Sequence, residues 1–409
     1  MTSTVHTTNT LDTARGMGFA TDRGSLVEAL ITVGLAVPKR PAVSVLGGVL
    51  LCASEDHLTV SGTDHETMVS VRVPGTVQHP GTLVIDHAEL TKLLGALVKG
   101  TRKRDADTLA VTVRTTDDGT PVVDLAGYTM PVTSYPTGDY PTIPDPAPTL
   151  AQVDRETFTE HMTRVRIAVG TDKTPMLTGV HLEITPGRVT MAGTDRFRLA
   201  IAPVAAVSIA RTMPTASALV PARLVVPVVT RFTGDRVRIG LDNVTDPSLV
   251  SFTCSDITVT VRTLCGDFPA YQQLLPTTAA GTIQTNRATL LAATRRAAAV
   301  LDAKRDRQSR VAVTITPESL SVAPVMAEHA DTVSTPGQPA TVVGVTGTAR
   351  LLFTPAYLID ALNSFTGDTV TLHTQTSPTR PVLLTDTPDG LTEDAAFRHL
   401  LMPRRLQEN

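Results

Sequence analysis

Apolar positions along this chain recur in two rhythms. Leu90, Leu93, Leu94 and Leu97 follow one another at helical spacing behind Asp86, whose carboxylate suits an N-cap, and Gly100 suits the C-terminal end. The same spacing predicts opening helices over Leu26–Leu35, Phe158–Val169 and Leu290–Leu301. It also predicts second helices near Pro221–Val229 and Pro355–Leu362, with proline in the first turn. Between them, runs such as 181–185 (HLEIT) and 237–241 (VRIGL) alternate with period two, as half-buried strands do.

Short segments return in a fixed order. Residues 45–49 (VLGGV) with 62–64 (GTD) recur as 176–180 (MLTGV) with 193–195 (GTD), an offset of 131. Residues 138–141 (GDYP) recur as 266–269 (GDFP), an offset of 128, and 232–235 (FTGD) as 365–368 (FTGD), an offset of 133. A unit of about 130 residues used three times explains all three. Proline clusters mark the joints: Pro141, Pro144, Pro146 and Pro148, then Pro269 and Pro276. The expected architecture is α+β, with helices on one side of antiparallel sheet, in domains over 17–145, 150–276 and 277–409. Residues 1–16, Thr-rich and without an apolar core, are expected to be a disordered tail rather than a secretory signal.

Composition narrows the chemistry. Of 409 residues 42% are hydrophobic and 18% charged, enough for real cores, and no apolar run reaches the 18 or so residues of a membrane span. Cys52, Cys254 and Cys265 form no metal or redox pair, which fits a reduced cytoplasmic setting, and no cofactor is expected. No phosphate-binding glycine loop, zinc-protease motif or nucleophile elbow occurs, so no catalytic residues are assigned. The ten histidines are scattered singly and read as surface or packing residues, and Asp64 and Asp195, at equivalent places, as turn formers. The net charge of −3 conceals a recurring arginine pattern on and after the helices: Arg164 and Arg166, Arg295 and Arg296, Arg223 and Arg231, Lys39 and Arg40, Lys173. With no interleaved aromatics, this favours phosphate contact over base stacking.

Three segments carry a resemblance: 193–199 (GTDRFRL), 268–271 (FPAY) with Leu275 and Pro276, and the terminal 400–406 (LLMPRRL). Together, over about residues 17–406, they resemble the bacterial DNA polymerase III β subunit, the sliding clamp. The resemblance implies a non-enzymatic processivity factor in the DNA polymerase III holoenzyme, cytoplasmic and nucleoid-associated. It implies the DNA clamp fold, closed as a head-to-tail homodimer ring with helices inside and sheets outside. Twelve helices spaced roughly 9–10 Å apart give a circle about 36 Å across. Removing one helix diameter leaves a hole of about 25 Å, enough for hydrated duplex DNA without sequence preference.

By the same resemblance Arg40 and Arg223 contact DNA, joined on helix location by Lys39, Arg166, Lys173, Arg295 and Arg296. A short partner motif, glutamine with large hydrophobes, from polymerase, clamp loader and repair polymerases would occupy a pocket between the middle and last domains. Its walls would be Leu177, Thr194, Arg196, Phe197, Arg198, Leu199, Pro269, Leu274, Tyr357, Leu400, Leu401, Met402, Pro403 and Leu406. Met130 and Val132 would meet Val300 and Leu301 across the dimer. Gln273, Arg404 and the Pro175–Met176 pair depart from the family pattern. Gln273 and Arg404 motivate an alternative, a specialised or inhibitor-resistant paralogue, host or phage, that mainly binds partner peptides.

Overall fold

The computed structural model describes residues 16–54, 56–171, 174–208, 215–306, 309–326, 333–392 and 397–405. Residues 1–15 of the expected tail lie outside these. Helices form where the apolar spacing placed them: α1 (Arg23–Val33), α2 (His87–Ala96), a short α3 (Lys103–Asp107), α4 (Arg155–Arg166), α5 (Ala222–Val229), α6 (Arg287–Ala303) and α7 (Pro355–Asn363).

The opening helix of each repeat starts in the same way. A strand ends on Asp22, Asp154 or Asn286, and that residue's side chain accepts a hydrogen bond from the backbone N–H three positions on, at Ser25, Thr157 or Thr289. The acceptor satisfies one of the donors a helix start leaves orphaned. The three caps are 132 residues apart, twice over. Asp86 caps α2 similarly, through Glu89.

Contacts gather the chain into two compact units. One holds the residues up to Thr149 with Pro227–Asp242 and Ser248–Arg262; the other holds Leu150–Val226, Asn243–Pro247 and the residues from Thr263 onward. The middle repeat is therefore divided between them.

In the first unit, a five-stranded antiparallel sheet ends at the edge strand Tyr128–Pro131. A second sheet joins two repeats directly, because Thr67–Pro74 of the first pairs with Ile257–Arg262 of the middle one, Val71 opposite Ile257. In the second unit the corresponding join is Arg198–Ser208 against Arg398–Leu401, Leu199 opposite Leu400. Helix and strand side chains alike fill the cores: Phe158 of α4, Phe252 of the strand Leu249–Cys254 and Phe353 of the strand Ala349–Phe353 are fully enclosed. Each such ring contributes about 1.5–3 kcal/mol of transfer free energy.

Candidate functional site

The turn Thr194–Arg198 is built from its own side chains. Asp195 Oδ1 accepts from the backbone N–H groups of Phe197 and Arg198, both at 3.0 Å, and Thr194 Oγ1 accepts from the Arg196 N–H at 3.1 Å. Arg196 takes a left-handed backbone, φ +78°. The equivalent turn in the first repeat repeats the pattern: Asp64 accepts from Glu66 and Thr67, Thr63 from His65, and His65 has φ +74°. Asp64 and Asp195 are thus turn formers, as their sequence context suggested.

This turn aims Phe197 outward, 52% exposed, and Arg198 inward. The Arg198 guanidinium donates to Asp195 Oδ2 at 3.0 Å and to Asp360 Oδ2 at 2.5 Å, and lies 4.8 Å from the centre of the Tyr357 ring. Tyr357 and Asp360 are three residues apart on α7, so one helix face supplies both the ring and the carboxylate. The Phe197 ring stacks beside Tyr357 at 6.0 Å between centres. Burial first, then the Asp195 charge, pushes the Tyr357 phenol above its ordinary pKa.

The terminal strand completes the site. Arg198 pairs with Leu401, and the Met402 N–H donates to the Phe197 carbonyl at 2.9 Å. Exposure then alternates: Leu401 and Pro403 are buried, Met402 and Arg404 exposed. Beneath lies a core of Ala192, Leu199, Ile201, Tyr271, Leu383 and Leu400. Further in, His399 donates to or accepts from Ser364 Oγ at 3.0 Å and is wholly enclosed. Burial, then the Arg198 and Arg164 charges, drives its pKa down to about 3.

The structure thus brings together Thr194, Arg196, Phe197, Arg198, Leu199, Tyr357, Leu400, Leu401 and Met402. Leu177, Leu199, Leu400, Leu401 and Pro403 are buried, and of these Leu199 and Leu400 belong to the core beneath the surface. Pro269 is exposed next to Phe268, whose ring stacks on His181. Leu274, 52% exposed, lines a cleft of about 370 Å³ of its own with Gln273, Gln375 and Arg380. Leu406 and Lys173 lie outside the described residues. Asp195 as a guanidinium clamp and Asp360 were missed by sequence reasoning.

Among the arginines, Arg40, Arg166, Arg223, Arg295 and Arg296 are exposed, as is Lys39. Arg166 and Arg223 line one cavity of about 820 Å³ together with Arg198. Two arginines do not belong to a free positive face. Arg231 donates to Glu28 and Thr32, and Arg164 is buried, bonded to Glu160, Asp386 and the Ser364 carbonyl. The residues named for a dimer contact divide likewise. Met130 and Val300 are exposed, whereas Val132 and Leu301 face their own core, so these two cannot meet a partner. No cluster that could hold a metal ion occurs among the described residues, and no helix there is long and apolar enough to cross a membrane.

Comparison with known proteins decides the family. The N-terminal domain of the DNA polymerase III beta subunit matches residues 17–144 and its central domain matches 152–270, together more than half the chain. The chain belongs to the DNA polymerase III beta subunit family, the sliding clamps. It is 29% identical to the beta sliding clamp of Streptomyces coelicolor over 95% of this chain and 100% of that protein. It is 26% identical to the beta sliding clamp homolog GriR of Streptomyces muensis over 95% and 99%. In fold it matches the sliding clamp of Pseudomonas aeruginosa bound to griselimycin, TM-score 0.79 at 20% identity over 96% and 100% of the two chains. It matches that of Bacillus subtilis equally, TM-score 0.79 at 21% identity over 95% and 99%. The family is one of processivity factors, and the sliding-clamp function follows for this chain.

Proposed function

We propose that two copies of this chain close head to tail around duplex DNA and tether a replicative polymerase through the groove at Phe197, Tyr357 and Met402. In this reading the repeats 17–145, 150–276 and 277–409 are the ring's domains. Lys39, Arg40, Arg166, Arg223, Arg295 and Arg296 face phosphates, and a clamp loader and repair polymerases share the groove through a glutamine-and-hydrophobe motif. The protein acts in the cytoplasm, at the nucleoid, as part of a polymerase III holoenzyme. The observation that carries the partner-binding half is the terminal strand's register. Pairing Arg198 with Leu401 leaves Phe197 and Met402 outside, two large apolar side chains above the buried Leu199 and Leu400.

Retention by enclosure gives the test. Protein placed on nicked circular duplex by a clamp loader is expected to stay through a gel-filtration run, and to leave once the circle is cut. Equal loss from circle and line contradicts the proposal.

The homodimer reading rests on complementary surfaces. Tyr128 and Met130 project from an edge strand of one unit. Val300 lines a cleft of about 460 Å³ on α6 with Ala293, Val322 and Pro324. An apolar knob on one copy and an apolar cleft on the other suit a heterologous, ring-closing contact.

A further inference from the structure

The cavity of about 820 Å³ lined by Arg166 and Arg223 opens between the end of α4 and the start of α5. Its size falls within the range of about 300–1,000 Å³ usual for sites that hold a small molecule. Both arginines are exposed, and neither side chain has a hydrogen bond or ion pair among the described residues. The third guanidinium there, Arg198, is already held by Asp195 and Asp360. None of the described lining residues is acidic. Backbone bonds, not side-chain pairs, fix where the two free cations stand. The Gly170 N–H donates to the Leu177 carbonyl at 2.8 Å, and the Ala222 N–H to the Thr178 carbonyl at 3.4 Å. The exit of α4 and the entry of α5 are thereby fastened to one short segment. The apolar part of the lining is aliphatic and includes the half-buried Ile167, Val169 and Leu224.

A ligand suited to such walls carries an anionic group for the guanidinia and an apolar body for the aliphatic side chains. A plain phosphate uses only the first, and a base-paired nucleotide keeps its base in the stack. Resting on the reading that Arg166 and Arg223 face nucleic-acid phosphates, we infer that the cavity takes one nucleotide whose base is unpaired. Arg166 and Arg223 hold its phosphate, and its base packs on Ile167, Val169 and Leu224. Such a nucleotide comes free in solution or as the unpaired part of a strand, and both present the same chemistry. Burial against aliphatic side chains is non-directional, so no base preference follows. Guanidinium contacts to phosphate are charge-assisted, and losing one costs a factor of about ten.

Calorimetric titration of the full chain with ADP, adenosine and pyrophosphate tests the two halves of the site. ADP is expected to bind at one site per chain, with adenosine and pyrophosphate each weaker by about tenfold or more. Arg166→Gln and Arg223→Gln are each expected to weaken ADP about tenfold, and both positions are exposed, so neither change threatens folding. A short thymidine strand and a short duplex identify the source. A strand that binds more tightly than duplex assigns the site to unpaired DNA; one level with duplex, while ADP binds, assigns it to free nucleotide. Adenosine or pyrophosphate binding as tightly as ADP overturns the inference, as does ADP binding that survives both substitutions. So does the absence of ADP binding together with equal binding of strand and duplex. If Arg223→Gln then still lowers the salt slope of duplex binding, the phosphate-facing reading stands without the inference; if it does not, both fall.

Discussion

The guanidinium of Arg164 lies 3.8 Å from the centre of the Phe397 ring, and 5.6 Å from that of Phe365. Its Nε donates to the Ser364 carbonyl at 2.5 Å, so α4 of the middle repeat is bonded to the segment following α7 of the last one. Phe397 precedes the terminal strand that carries the groove. A charge held between two rings and three oxygen acceptors is desolvated, and burial lowers its pKa while Asp386 and Glu160 raise it.

Arg164→Ala is therefore expected to cost about 2–3 kcal/mol, from lost ring contacts and from leaving the Ser364 carbonyl unpaired. Urea denaturation checks this. Arg166→Ala, two positions on and exposed, is expected to change stability by less than about 0.5 kcal/mol. Equal effects of the two would remove the special standing of Arg164.

The turn at Asp195 gives a second prediction. Phe197→Ala is expected to weaken a glutamine-and-hydrophobe peptide about tenfold by fluorescence polarisation, since aromatic anchors dominate such contacts. Asp360→Asn is expected to weaken it by about threefold, because Arg198 loses one of its two carboxylate anchors. Unchanged affinity in both would place the groove elsewhere.

How much of this was readable beforehand differs by residue. The caps Asp22, Asp154 and Asn286 are local features, spaced evenly enough to be found from the repeat alone. The Arg198–Asp360 and Arg164–Ser364 bonds join positions 162 and 200 residues apart, and no local pattern signals them. Val300 and Leu301 show the limit of a helix location. Neighbouring residues point about 100° apart, so when Leu301 packs inward Val300 is turned toward solvent. Arg164 misled for the same reason: it shares a helix with Arg166 but not a face.

Met130 and Val300 carry the third prediction. The parent protein is expected to run at about 87 kDa in solution, twice the chain mass of 43.3 kDa. Met130→Glu with Val300→Glu is expected to yield the single-chain mass with stability nearly unchanged, because both side chains are exposed. Light scattering decides. A doubly charged variant that stays paired rules out these surfaces.

Arg40 and Arg223 carry the fourth. Each phosphate neutralised releases condensed counterions, so replacing one such arginine lowers the salt slope of binding by about 0.9. Arg40→Gln and Arg223→Gln are expected to do so for short duplexes. Arg231→Gln is expected to leave the slope alone, since Arg231 is already bonded to Glu28.

Histidine burial sets the acid limit. His161, His373 and His399 are enclosed, and burial lowers the pKa of each, aided by Arg164 at His161 and by Arg198 and Arg164 at His399. In the unfolded chain they titrate near 6.5. As pH falls below that value, the unfolded state takes up protons that the folded state refuses, so stability is full above about 6.5 and lost progressively below it. For His399 the loss continues toward its folded pKa of about 3. Each group contributes a slope of at most about 1.4 kcal/mol per pH unit. Urea midpoints at pH 7.5, 6 and 5 are expected to fall steadily, and His399→Gln is expected to flatten the fall. A midpoint that holds constant or rises between pH 6 and 5 would mean that these rings are protonated in the folded protein.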